Sequence, residues 1–509
     1  MKIQDNKPTD LNAAQWKAVI HRGSHLLIAA GPGTGKTHTL TCRIAHIVNE
    51  TKTPERILAV TFTNKAAKQM RDRLNLRLGD EAKKITIGTF HAFCLQVLQN
   101  YSLDSSLPKD FRVASKEEVH SFCKQIFKIE KKREINKTLD EISHWKSGAL
   151  KDTPPENIAR YNKALRERKW LDFDDLLYET VRLLTDNKNI LHEIQNKYGF
   201  IFVDEYQDIN EVQHALLKLL VAKDAFITAI GDPRQAIYGF RGSNIRYFKN
   251  FRDDFPQAVL LSLDENYRSA SGLLEASWQV MAKSDLIHAS RLKARMYKQG
   301  CLTIYEAPTD KAEVEYVVHQ VEKLVGGTSM FSQDSGRVDA DLEAERSFGD
   351  IAILMRLNSQ RKLLCDAFSR SGIPYEENLD TLNTPEGIRD QLIEKSESVH
   401  FLTLHGSKGL EFSVVFIIGC EEGLLPLQLD GFFCDMEEER RLFYVGMTRA
   451  KERLYLTRAK RRFLFGKKLE SLPSRFLSDV KEELKAYEFS NAKVSRRKER
   501  EKQQLNLFR

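Results

Sequence analysis

An α/β fold built on parallel sheets is what this sequence predicts, and three observations predict it. Short, continuous apolar runs recur along the chain: HLLIAA, RILAVTF, KITIGTF, GFIFVDE, AFITAIGD, DIAILMR, VHFLTL and VVFIIGC. Such runs suit strands covered by helices on both faces. Longer amphipathic stretches separate them, as crossovers between parallel strands require. The first run also leads directly into a glycine-rich turn and a helix-like stretch, AAGPGTGKTHTL.

Size and composition bound the rest. With 509 residues, 41% of them hydrophobic, the chain exceeds one compact core, and two to four domains are expected. The 79 basic residues outnumber the 71 acidic ones, for a net charge of +8, which is compatible with a polyanionic partner. Seven scattered cysteines with no close pair imply neither a disulfide framework nor a zinc site. The opening MKIQDNKPTDLN has no apolar signal core, and VVFII is too short to cross a bilayer. A soluble, cytoplasmic protein is expected, nucleoid-associated if bacterial.

In chain order, the first three runs precede a change of pattern. From about Cys94 to Lys197 the sequence is charged and helix-like with no clear strand, so an inserted helical domain is expected. Strand-like runs resume with GFIFVDE. Gly326 to Ser347, rich in Gly, Ser and acid, reads as a mobile loop. After about Glu488 a polar run without an apolar stripe reads as a flexible tail. No short repeat appears, and two strand-rich halves are consistent with two similar sheets.

The glycine-rich turn fits the phosphate-loop pattern, with Ala30 at the first position and Gly35, Lys36 and Thr37 at the last three. Between them lie Gly31, Pro32, Gly33 and Thr34. Glycines let backbone N–H groups turn in around phosphates, Lys36 reaches the β and γ phosphates, and Thr37 holds Mg²⁺. FIFVDEYQD supplies the complement: Asp204 and Glu205 stand at the carboxyl end of an apolar strand. Asp204 is the expected second Mg²⁺ ligand, and Glu205 the group that orients or deprotonates the attacking water.

An ordered series of motifs extends this reading from Leu11 to Leu477: LNAAQWKAV, GPGTGKT, TFTNKAAKQM, IGTFHAF, VDEYQD, GDPRQAIYGFRG, LDENYRS, LTLHGSKGLEF, EEERRLFYVGMTRAK and PSRFL. In these the chain resembles the superfamily 1 DNA helicases of the UvrD/Rep, PcrA-like type. The resemblance implies two RecA-like motor domains, with ATP and Mg²⁺ held in the cleft between them. It implies that Gln15 reads the adenine edge and Gln235 senses the γ phosphate. Tyr267 stacks on adenine, Arg268 contacts the γ phosphate, Glu411 binds the ribose and Arg449 is the arginine finger. His38 stands where many members carry an adenine-packing arginine.

For the nucleic-acid track the resemblance implies Phe62, Thr63 and Asn64; Thr89, Phe90 and His91; Tyr238, Phe240 and Arg241; and Thr403 and His405. Phe240 replaces the tryptophan of many members. DFDDLL (Asp172 to Leu177) gathers three carboxylates, which read either as a metal cluster or as acids at a helix N-terminus, the second being favoured by the apolar run that follows. About twenty residues separate GIPYEE from VHFLTLH, where larger members insert an accessory domain, 2B, so none is expected here. The expected organisation is motor domain 1A in 1–93 and 198–264, a helical insertion 1B in 94–197, motor domain 2A in 265–487, and a tail, 488–509. In that tail Gln504, Leu505, Leu507 and Phe508 resemble the short peptide with which bacterial DNA-processing proteins hold the sliding clamp; the alternative is a terminal anchor folded back on 2A. The implied activity is a 3′-to-5′ translocase on single-stranded DNA that unwinds 3′-tailed duplex, as a monomer, in repair or replication. Alternatives are a translocase that mainly strips proteins from DNA, and a catalytically dead scaffold.

Overall fold

The computed structural model describes residues 8–102, 107–148, 153–284, 291–296, 300–326, 346–376, 397–428, 434–464 and 466–489. The loop expected at Gly326 to Ser347 and the clamp-like motif lie almost wholly or wholly outside them. The chain divides into two compact units, Met1–Gly31 with Gly35–Leu263, and Pro32–Thr34 with Asp264–Arg509.

The first unit is built on a six-stranded sheet. Its strands are β1 (Leu26–Ala30), β2 (Ile57–Thr61), β3 (Thr86–Thr89), β6 (Phe200–Val203), β7 (Phe226–Gly231) and β8 (Val259–Leu263), ordered β3-β2-β6-β7-β1-β8. Every pairing is parallel. Alternate side chains of these strands enter two different cores. Leu27, Leu58, Val60, Ile201 and Val203 join one; Ile28, Ile57, Ala59, Phe202 and Ile230 join the other. Burial on both faces explains why the strands read as unbroken apolar runs. Helices α2 (Lys36–Thr51) and α3 (Asn64–Leu78) cover one face; α4 (Phe90–Asn100), α8 (Phe173–Asp186), α9 (Lys188–Lys197) and α10 (Glu211–Leu220) cover the other.

Helices α5 (Lys116–Phe127), α6 (Lys132–Ser147) and α7 (Glu156–Glu167) enclose a separate small core of Phe122, Ile142, Ile158, Tyr161 and Leu165. This separate core is narrower than the 94–197 expected for the insertion, because Cys94 to Leu98 and Leu171 to Ile194 pack into the core of the main sheet. The stretch also contains a strand pair, β4 (Arg112–Val113) with β5 (Trp170–Leu171), too short to leave an apolar signature.

The second unit carries a small parallel pair, β9 (Glu265–Asn266) with β10 (Lys293–Ala294), and a seven-stranded sheet. The strands of that sheet are β11 (Cys301–Ala307), β12 (Ile351–Met355), β13 (Tyr375–Glu376), β14 (Val399–Thr403), β15 (Phe412–Ile417), β16 (Ala450–Ala459) and β19 (Ala486–Phe489). Their order is β13-β14-β12-β15-β16-β11-β19, again all parallel. Helices Asp310–Leu324 and Arg361–Ser371 bury Val317, Val321, Leu364 and Phe368 against it. β19 carries the paired backbone to Phe489, so the first residues of the expected tail are strand. A hairpin, β17 (Arg461–Leu464) with β18 (Lys467–Glu470), completes the unit.

Candidate functional site: a phosphate loop with a paired acid and an aromatic track

The loop after β1 ends on Gly35, the N-cap of α2, at φ +78°; Gly33 sits at φ +67°. Both lie in the left-handed region that glycine enters at no cost. A side chain at Gly35 would also meet Gln15 Nε2 at 2.9 Å. Lys36 and Thr37 therefore open α2, where unpaired N–H groups and the helix dipole favour phosphate.

Asp204 stands just past the end of β6, almost fully buried. The Thr37 hydroxyl bonds its carboxylate. Burial first, and then the charge of Glu205, push the Asp204 carboxyl up to about 7; Lys36, the Glu205 N–H and Thr37 act in the opposite direction. A hard cation would supply the positive charge that two neighbouring carboxylates lack. A hydroxyl and a carboxylate oxygen are the donors Mg²⁺ takes, so the residues fit the ion. Glu205 follows at φ +51°, and its N–H donates to Asp204 Oδ1 at 2.9 Å.

Gln15 is buried at the start of α1 (Ala13–Ile20), where it forms a capping box with Asn12: Gln15 N donates to Asn12 Oδ1 and Asn12 N to Gln15 Oε1. The His38 side chain is 31% exposed. Its Nε2 lies 3.3 Å from Asp10 and 3.8 Å from Cys42 Sγ. These three have the spacing of a metal site, but Arg77 already donates to the same Asp10 oxygen at 3.1 Å. Gln235 is buried and donates through Nε2 to Asp232 Oδ2 at 2.9 Å.

In the second unit the Tyr267 ring is 37% exposed, open enough to stack on a base, and its hydroxyl donates to Glu265. Glu411 holds two cations: Arg268 Nε donates to it at 2.6 Å and Lys451 Nζ lies 3.1 Å away. Arg449, the expected finger, follows the helix Met436–Met447. It is 1% exposed, and its guanidinium donates to Val445 O, Leu410 O and Thr448 Oγ1.

The expected track residues fall into two groups. Tyr238 and Phe240 meet edge to face at 6.1 Å, with Arg241 over both rings at 5.4 and 5.5 Å; Phe240 is 66% exposed. Thr63 and Thr89 cap α3 and α4, accepting from Ala66 N and Ala92 N, and so fix Asn64 and His91 at the helix starts. In the second unit Thr403 Oγ1 accepts from Gly406 N beside His405. Phe90, by contrast, is a core residue at 2% exposure, and Phe62 leans on it edge to face. Aromatic residues at strand ends serve packing as readily as recognition, and the sequence cannot separate the two.

One candidate platform escaped the sequence reading. Phe173, inside DFDDLL, is 57% exposed and stacks on His91 at 3.8 Å. The acids beside it are structural. Asp172 caps α8 and shares a capping box with Asp175; Lys146 and Arg166 match their charge.

A phosphate loop on one strand and a paired acid on another define a P-loop nucleotide-hydrolysing enzyme. Two family models then cover most of the chain: the UvrD/REP helicase N-terminal domain matches residues 11–256, and the UvrD-like helicase C-terminal domain matches 261–381 and 375–461. The chain belongs to the UvrD/Rep family, PcrA-like superfamily 1 helicases. Similar proteins include the ATP-dependent DNA helicase PcrA of Staphylococcus epidermidis, 28% identical over 93% of this chain and 87% of its own length. That of Staphylococcus aureus is 27% identical over 93% and 86%. Among the described residues no helix is long and apolar enough to cross a membrane.

Proposed function

We propose that this DNA helicase is an ATP-driven, 3′-to-5′ single-stranded DNA translocase that separates duplex strands. The observation that carries the reading is the bond between the Thr37 hydroxyl and the buried Asp204 carboxylate, with Lys36 beside them and Glu205 next in the chain. Thr37 and Asp204 would hold Mg²⁺, which when bound neutralises phosphate charge. Lys36 orients the β and γ phosphates. Glu205 aligns a water and takes its proton as the water oxygen bonds to the γ phosphorus and the bond to ADP breaks. Arg268 and Arg449, once released from Glu411 and from the internal carbonyls, stabilise the charge on the transferring group.

Phe240 and Phe173 offer exposed ring faces beside the half-buried Tyr238, and stacking is tolerant of sequence, as a strand track needs. Phe62, Thr63, Asn64, Thr89, His91, Arg241, Thr403 and His405 complete it. Comparing the stimulation of ATP hydrolysis by single-stranded DNA and RNA tests the substrate class. Stimulation by RNA alone would overturn it. Direction is read from strand release on partial duplexes with a 3′ or a 5′ tail.

The short segment between Glu376 and Val399 supports a motor without a 2B domain. The C-terminal family model matches in two pieces meeting at 375–381, and a 650-residue alignment that takes in 93% of 509 residues leaves much of the relative opposite no residue here. A role in repair or replication, action as a monomer, and docking of Gln504 to Phe508 on a sliding clamp belong to the same proposal. Titrating the clamp with the last ten residues, with and without Leu507→Ala and Phe508→Ala, tests the docking; equal binding by both peptides would exclude it.

A further inference from the structure

Glu205 and Gln235 belong to motifs separated by some thirty residues, yet one buried side chain lies between them. Gln207, fully buried, donates from Nε2 to Glu205 Oε2 at 2.5 Å and to Asp208 Oδ2 at 3.3 Å. Its Oε1 accepts from the backbone N–H of Asp232 at 2.9 Å. Asp232, itself fully buried, accepts from Gln235 Nε2 on one carboxylate oxygen at 2.9 Å. Its other oxygen accepts from Arg234 N at 3.1 Å and Arg234 Nε at 2.9 Å.

We infer that Gln207 is a positioning residue that relays the setting of the γ-phosphate sensor Gln235, through Asp232, to the base Glu205. The inference rests on the reading of Glu205 and Gln235 given above. The chemistry permits only one orientation of the Gln207 amide: its oxygen faces a donor and its nitrogen faces carboxylates. It is also caged, since a β-carbon on Gly231 would lie 2.2 Å from Gln207 Oε1. Glu205 is thus held at two points, by its backbone on Asp204 and by its side chain on Gln207. A Gln235 that turns to a γ phosphate gives up or drags Asp232 Oδ2. The residue so displaced carries the N–H that fixes Gln207. Buried chains of hydrogen bonds transmit such changes because each unpaired group is costly.

The test uses the full chain and five variants. Gln207→Met keeps the volume and removes the amide. Gln207→Leu removes both the acceptor for Asp232 N and the donor to Glu205 without adding a carboxylate beside Glu205 and Asp208. Each is expected to lower kcat of DNA-stimulated ATP hydrolysis by about 10- to 100-fold, with KM for ATP near wild type, at a temperature well below a thermal midpoint that the unpaired buried groups lower. Combined with Gln235→Ala, Gln207→Met is expected to cost little beyond the worse single variant, the signature of one shared path. Normal kcat in either folded Gln207 variant, multiplying losses in the double variant, or a rise in KM for ATP that accounts for the lost activity would each overturn the relay. Glu205→Gln is measured alongside. If it hydrolyses ATP normally, the base assignment has failed; if it is inactive while the Gln207 variants are normal, only the relay has.

Discussion

At the scale of single residues, chemistry and packing compete for the same side chains. Lys36→Ala is expected to abolish ATP turnover. Glu205→Gln is expected to bind ATP and stall hydrolysis, read as retained binding of a fluorescent ATP with no phosphate release. Arg449→Ala is expected to slow DNA-stimulated hydrolysis by about 10³-fold. Its three internal hydrogen bonds add a second reading: normal hydrolysis with a lowered thermal midpoint would make Arg449 a structural donor. Phe240 is the cleanest test of the track because it is 66% exposed and its loss leaves no cavity. Phe240→Ala is expected to weaken single-strand binding by about 1–3 kcal/mol in a fluorescence titration, with the thermal midpoint unchanged.

At the scale of elements, the start of α8 ties the helices α5 to α7 to the proposed track. Lys146, fully buried at the end of α6, meets Asp172 and Asp175 at 2.6 and 2.7 Å, and Arg166 bridges Asp175 to Glu179. Removing one partner strands buried carboxylates, so Lys146→Met is expected to cost about 3–5 kcal/mol. Hydrogen exchange should rise across α5 to α7 while α2 and α3 stay protected; uniform loss would mean the units unfold together. His91, stacked on Phe173 at the start of α4, is held neutral by burial, its pKa lowered from 6.5 to about 4. The unfolded chain therefore binds a proton that the folded one refuses between those values, and stability falls as pH drops from 6.5 towards 4. Urea midpoints across that window should fall less steeply in His91→Phe than in wild type.

At the scale of the whole molecule, two parallel sheets are expected to work as one motor. If no 2B domain restrains it, a single copy should begin unwinding a short duplex with a 3′ tail. Single-turnover unwinding with enzyme scarce relative to DNA checks this. A requirement for several copies per DNA would count against it, and translocation without strand separation would favour protein displacement as the main task.

The sequence by itself determined the fold class and the family, and it offered the candidate nucleotide residues. Strands buried on both faces leave continuous apolar runs, and β1, β2, β3, β6, β7, β12, β14 and β15 were legible for that reason. The phosphate loop and Asp204–Glu205 were legible because their chemistry is local to a few adjoining residues. Strands β11 and β16 were not, because their buried polar groups find partners only in the folded sheet. Thr457 reaches Glu313, and Arg458 pairs with Glu306 across the β11–β16 pairing. Tertiary structure alone decided that Phe90 is core while Phe173 is exposed, since each opens a helix directly after its N-cap and the two differ in what packs over them. It alone buried Arg449 among carbonyls, and it alone set Gln207 between Glu205 and Asp232. Side-chain burial and hydrogen bonding depend on residues distant in sequence, and no local pattern encodes them.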